Sequence, residues 1–158
     1  MFKELISNSG NGRERPELNG AYIGRFLGVK ERQRPTFETR NAPEPVMEDA
    51  FVFEFEVRDF EVEEPIRVSK WVRKPARLDH PGKSGKATNL YKVLAWLYGV
   101  SVMTDAQLER AEEFIQEAVG REYQLTLQTK PNGWCEIIHI APVRARLRKE
   151  ETIDEVPF

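Results

Sequence analysis

One cysteine and two histidines are all the chain carries of the residues that most often bind transition metals. Each scarcity closes a route. Cys135 alone forms no internal disulfide. A zinc site wants three or four ligands, and Cys135 and His139, read as sharing one strand face, have only His80 to join them. Two histidines also leave no plausible Ser/His/Asp set, so no catalytic residue, metal or cofactor is expected. Long apolar runs are missing too: none approaches the roughly 20 residues of a membrane span. Met1-Phe2-Lys3-Glu4-Leu5-Ile6 contains an acid and no extended hydrophobic region, unlike a signal peptide. What is present suits one domain with small appendages: 158 residues, 40% apolar and 32% charged. The expectation is a cytoplasmic protein without a membrane partner. Composition leaves oligomeric state open and is compatible with a homo-oligomer.

A net charge of −2 hides a strong asymmetry. Between residues 66 and 92 stand Arg67, Lys70, Arg73, Lys74, Arg77, Lys83, Lys86 and Lys92 against Asp79 alone, a local excess of +7. Residues 54–64 hold six acids and one base, and residues 150–158 hold four acids and no base. Local fields rather than the sum decide how a polyanion is met. The middle of the chain is where phosphate is expected to sit.

Hydrophobic periodicity gives the order of elements. Residues 1–17 are aperiodic and read as a flexible arm. Residues 21–29 read as a strand with Ala21, Ile23, Leu27 and Val29 on one face and Tyr22, Gly24, Phe26 and Gly28 on the other. A polar loop with Pro35, Pro43 and Pro45 follows. Phe51, Phe53, Phe55 and Val57 alternate with Glu54, Glu56 and Arg58, a clean period of two. Ile66, Val68 and Val72 alternate with Arg67, Ser69, Trp71 and Arg73 to give a third strand. Leu90, Tyr91, Leu94, Leu97 and Tyr98 form a helical stripe that Gly99 ends. Thr104 and Gln107 make a capping box ahead of Leu108, Ala111, Ile115, Ala118 and Val119, and Gly120 stops that helix. Tyr123, Leu125 and Leu127 alternate in a fourth strand. Pro131-Asn132-Gly133 turns the chain, and residues 134–140 return as a fifth.

Three strands, a helical segment and two strands are the order of the OB-fold, a five-stranded Greek-key barrel. The expected class is therefore mainly β with α: an OB-fold barrel over 18–143, with a two-helix segment between strands three and four. Such barrels take oligonucleotides on strands two and three and on the 1–2 and 4–5 loops. The 1–2 loop is read as holding Lys30, Arg32, Arg34, Phe37 and Arg40, and the 4–5 loop holds Lys130 just before Trp134. Cations that follow phosphates, interleaved with rings that stack on unpaired bases, are what single-strand binding needs. Candidates for single-stranded DNA are Arg32, Arg34, Phe37, Arg67, Lys70, Trp71, Arg73, Lys74, Arg77, Lys83, Lys86, Lys130 and Trp134.

Several of these carry a second reading. Trp71 either meets a base or packs beneath the helices; Trp134 either meets one or covers the barrel end. Tyr22 and Phe26 stack or simply pack. Residues 80–88, with Gly85-Lys86 followed by Ala87, fail the phosphate-loop pattern and read as a basic loop against DNA backbone. Glu54 and Glu56 suggest a metal-dependent nuclease only weakly, because no lysine follows at the required spacing.

The last residues are the most specific. Arg144, Arg146, Arg148 and Lys149 give way to an acidic run ending Asp154-Glu155-Val156-Pro157-Phe158. This resembles the tail of the bacterial single-stranded DNA-binding protein family, which ends in acids followed by Ile-Pro-Phe. The resemblance covers about nine residues, with Val156 in place of Ile. It implies that Phe158 anchors in a pocket on replication, recombination and repair proteins, that Pro157 stiffens the approach, and that Asp154 and Glu155 steer it. The family's long linker is absent, and 144–158 reads as a flexible tail of shorter reach. The core is more similar to OB proteins of bacteriophages and mobile elements, on strand order and the pattern from Asn89-Leu90-Tyr91-Lys92 to Gly99. A bacterial or phage-infected bacterial cell is the expected setting. The rival expectation is an adaptor that captures repair proteins through the tail without touching DNA.

Overall fold

The computed structural model describes residues 17–58, 64–81 and 87–143. The elements run β1 (Gly20–Pro35), β2 (Met47–Val57), β3 (Ile66–Arg73), α1 (Asn89–Tyr98), α2 (Asp105–Glu109), α3 (Ala111–Ala118), β4 (Glu122–Thr129) and β5 (Cys135–Pro142). All five strands join one antiparallel sheet in the order β3-β2-β1-β4-β5. The protein is thus mainly β with a few helices. Among the described residues no ladder links β3 to β5, yet these two edge strands approach one another. Helix α1 packs against both. No described helix is long and apolar enough to cross a membrane.

The alternation in β2 and β4 drives the fold as expected. Phe53, Phe55 and Val57 from β2 and Tyr123, Leu125 and Leu127 from β4 enter the core. Phe26 lies among them, its ring centroid 5.2 Å from Phe55, 6.2 Å from Tyr123 and 6.3 Å from Phe53. Tilted and edge-on pairs of this kind add to the stabilisation from burial alone.

Strand β1 departs from its expected facing. Tyr22, Gly24 and Phe26 point inward and Ala21 is exposed. A register shift between Phe26 and Gly28 then swaps the faces, so that Val29 packs on the core as well. The physical reason is a bulge: one extra residue inverts the period of two, so no single alternation describes the strand. Gly28 takes φ 126° there, a conformation open to glycine. β1 is also longer than expected. Lys30, Arg32 and Arg34 lie on the strand, held by pairing with β2 as far as Pro35 opposite Met47, and only residues 36–46 form the turn.

Helix α1 begins at the Thr88 cap, whose hydroxyl accepts the Tyr91 N–H, and ends at Gly99 with φ 80°. A Cβ on Gly99 would stand 2.9 Å from Pro142 Cγ, so this residue serves both the cap and the packing of β5. The capping box of Thr104 and Gln107 forms. The single helix expected after it is broken at Arg110 (φ −102°, ψ 19°) into α2 and α3. The break separates two environments: α2 buries none of its residues, whereas α3 buries Ala111 and Ala118 while Phe114 stacks on Tyr98 at 3.8 Å.

A second register shift, between Thr126 and Leu127, affects β5. Ile137 and Ile140 both point inward as a result. His139 is exposed, its ring edge-on to Trp96 at 5.1 Å. Cys135 and His139 therefore do not share a face, contrary to the alternation read from sequence. At the other end of the sheet, Leu18 is buried, and the Thr129 hydroxyl accepts its N–H at 3.0 Å and donates to its carbonyl at 3.1 Å.

Candidate nucleic-acid interface

Antiparallel register sets side chains from three strands in rows across the outer face. Lys30, Val52 and Trp71 form one row, and Arg32, Ala50 and Arg73 the next. A third places Arg25 and Arg67 on either side of Glu56. The middle strand contributes the short residues Val52 and Ala50, both buried yet outside the aromatic core. Long cations and a tryptophan flank them on both sides. The face is a trough with basic walls.

Where β3 and β5 approach, a cleft of about 390 Å³ opens beside this face. Ser69, Lys70 and Trp71 line it from β3, Trp134, Glu136 and Ile137 from the other edge, and Arg34 from the far end of β1. The β4–β5 turn presents Trp134: the Gly133 N–H donates to the Lys130 carbonyl at 2.8 Å, and the Asn132 side chain accepts the Trp134 N–H at 2.9 Å. Trp134 is 53% exposed and does not cover the core. Trp71 is half-buried at the cleft wall. Lys70 stands on the opposite strand face from Trp71, its ammonium 6.0 Å from the Trp96 ring, and still reaches the cleft because β3 is an edge.

Arg34, Lys70, Trp71 and Trp134, all expected from sequence, thus come together, and Lys130 joins them through a 3.1 Å ion pair with Glu136. Arg32, Arg67 and Arg73 lie on the adjoining outer face. Phe37 is apart on the β1–β2 turn, 74% exposed, with the Arg40 guanidinium 4.5 Å over its ring. Lys74 points elsewhere: it bonds Glu31 at 2.8 Å, and that hydrogen bond, with the carboxylate's charge, raises its pKa above the ordinary lysine value. With Arg73 it lines a separate cavity of about 470 Å³ beside the start of α1. Arg77 pairs with Asp79 at 3.2 Å, away from the cleft lining. Lys83, Lys86 and the tail residues Asp154, Glu155, Val156, Pro157 and Phe158 fall outside the described residues.

Three acids of β2 are engaged by neighbouring cations, Glu48 with Arg34 at 3.6 Å, Glu54 with Lys30 at 3.1 Å and Glu56 with Arg25 at 3.2 Å. Among the described residues no group of three or more His, Cys, Asp or Glu side chains is placed to hold a metal ion. Sequence reasoning missed Arg25, Glu136 and Ile137. The alternation marks each as facing one way or the other, but nothing in it says that β5 lies against β3. Comparison with protein-family models, curated proteins and solved structures gives no significant match.

Proposed function

We propose that this chain binds single-stranded DNA without catalysis and recruits replication, recombination and repair proteins through residues 154–158. The observation that carries the first half is the cleft. Two tryptophans and two cations from β1, β3 and the β4–β5 turn line one opening at the margin of a basic face. Stacking a base is worth about 1–3 kcal/mol by alanine substitution, so two rings supply much of a useful affinity. Arg32, Arg34, Arg67, Arg73 and Lys130 neutralise phosphates beside them, and counterion release makes binding fall steeply with salt.

The strand order supports an OB-type barrel as the scaffold. A five-stranded, partly open barrel of this class binds on strands two and three and the 1–2 and 4–5 loops. The sequence order of helices and strands matches that plan, the free edges β3 and β5 stand side by side, and α1 packs against both. For the tail, the support is its resemblance to the bacterial family's acidic Pro-Phe end. The test is fluorescence anisotropy with labelled oligo(dT) of about 30 nucleotides at two salt concentrations, with duplex of equal length as control. Salt-sensitive binding to the single strand alone is expected. Absence of binding at low salt contradicts this reading and leaves the adaptor in the lead.

A further inference from the structure

We infer that the cleft between β3 and β5 selects guanine among the bases of a bound single strand, an inference that rests on the single-strand reading above. A groove built only to follow phosphate has no use for a carboxylate, yet Glu136 lines this one. Lys130 occupies its Oε2 at 3.1 Å. Its Oε1 accepts no hydrogen bond among the described residues, and neither does the Ser69 hydroxyl on the opposite wall. Lys70 and Arg34, whose Nε also meets Glu48 at 3.6 Å, supply donors to the same space, and buried Ile137 adjoins Glu136 on its wall. Trp71 and Trp134 line the opening without a ring contact between them among the described residues.

The polar set discriminates between bases. Guanine carries N1–H and the N2 amino group side by side, and a single carboxylate accepts from both in a charge-assisted pair. Its O6 and N7 are the acceptors that arginine and lysine most often read. Adenine and cytosine set their amino donor next to a ring nitrogen whose lone pair faces the carboxylate. Thymine flanks its one N–H with two carbonyl oxygens. Guanine alone meets the carboxylate with two donors and the cations with two acceptors. Lys130, held on Oε2, offsets the repulsion between Glu136 and the DNA backbone.

The experiment uses the full chain and labelled oligomers of about 15 nucleotides, within the site sizes such barrels cover: oligo(dT) and repeats of dT-dT-dG, dT-dT-dA and dT-dT-dC. The dG-containing repeat is expected to bind tighter than oligo(dT) by about fivefold or more, the discrimination of a good two-bond contact. Glu136→Gln, which keeps one acceptor and replaces the other with a donor, is expected to erase that ratio. Equal affinities across the four oligomers overturn the inference and leave the single-strand reading intact. So does a preference for dA or dC, or a dG preference that survives in Glu136→Gln. Failure of all four to bind overturns the single-strand reading itself. If Glu136→Gln does not fold, the wild-type series still overturns the inference wherever dG is not preferred.

Discussion

Phe26, Phe53, Phe55 and Tyr123 meet ring to ring inside the sheet, whereas Trp71 and Trp134 both line an open cleft between β3 and β5. The first four come from β1, β2 and β4, each paired on both sides, and all are fully buried. The two tryptophans stand on β3 and just ahead of β5, where no further strand pairs among the described residues. Residue type does not separate the sets; position in the pairing order does. A ring in the middle of the sheet finds neighbours on every side and serves stability. At an edge it keeps one side open and is available to a ligand.

That contrast yields effects of decreasing size. Phe55→Ala is expected to destabilise the fold by about 3–5 kcal/mol, as truncation of a packed aromatic does, in urea unfolding. The folded fraction should bind oligo(dT) as the parent does, and a loss of affinity there would erase the division between core and cleft. Gly99→Ala, forced into a left-handed conformation and against Pro142, should cost about 1–2 kcal/mol. It tests whether the α1–β5 junction belongs to the stability half. Thr104→Ala removes one side of the capping box and should cost about 1 kcal/mol, again without touching affinity. Smallest in stability is Arg34→Ala, half-buried near the end of β1, where only a 3.6 Å ion pair with Glu48 is lost. Its melting temperature should stay near the parent's, while the slope of log affinity against log salt becomes shallower by about one. An unchanged slope would take Arg34 off the phosphate path.

The alternation of β2, β3 and β4, the end of α1 and the capping box of α2 were legible because each is a local signal: Phe53 and Phe55 against Glu54 and Glu56, Gly99 after α1, Thr104 with Gln107 ahead of α2. The facing of β1 was not, since a bulge is set by how Phe26 and Gly28 pair with β2. The same cause hid the length of β1. Lys30 to Pro35 have no apolar rhythm, and only their partners in β2 make them a strand. Trp71, Trp134, Arg34 and Lys70 were legible as residue types suited to nucleic acid. Their convergence depends on β3 meeting β5, a long-range fact. Glu136 carried no signal at all, because an acid in an expected basic groove argues against selection until its place beside Trp134 is seen.

The most direct test of the central claim replaces both cleft rings at once. Trp71→Ala with Trp134→Ala should weaken oligo(dT) binding by tenfold or more at fixed salt, given about 1–3 kcal/mol per stacked base, with little change in melting temperature. Affinity equal to the parent's in a folded double variant would contradict the account, and the cleft would have to be given up as the place where the strand is held.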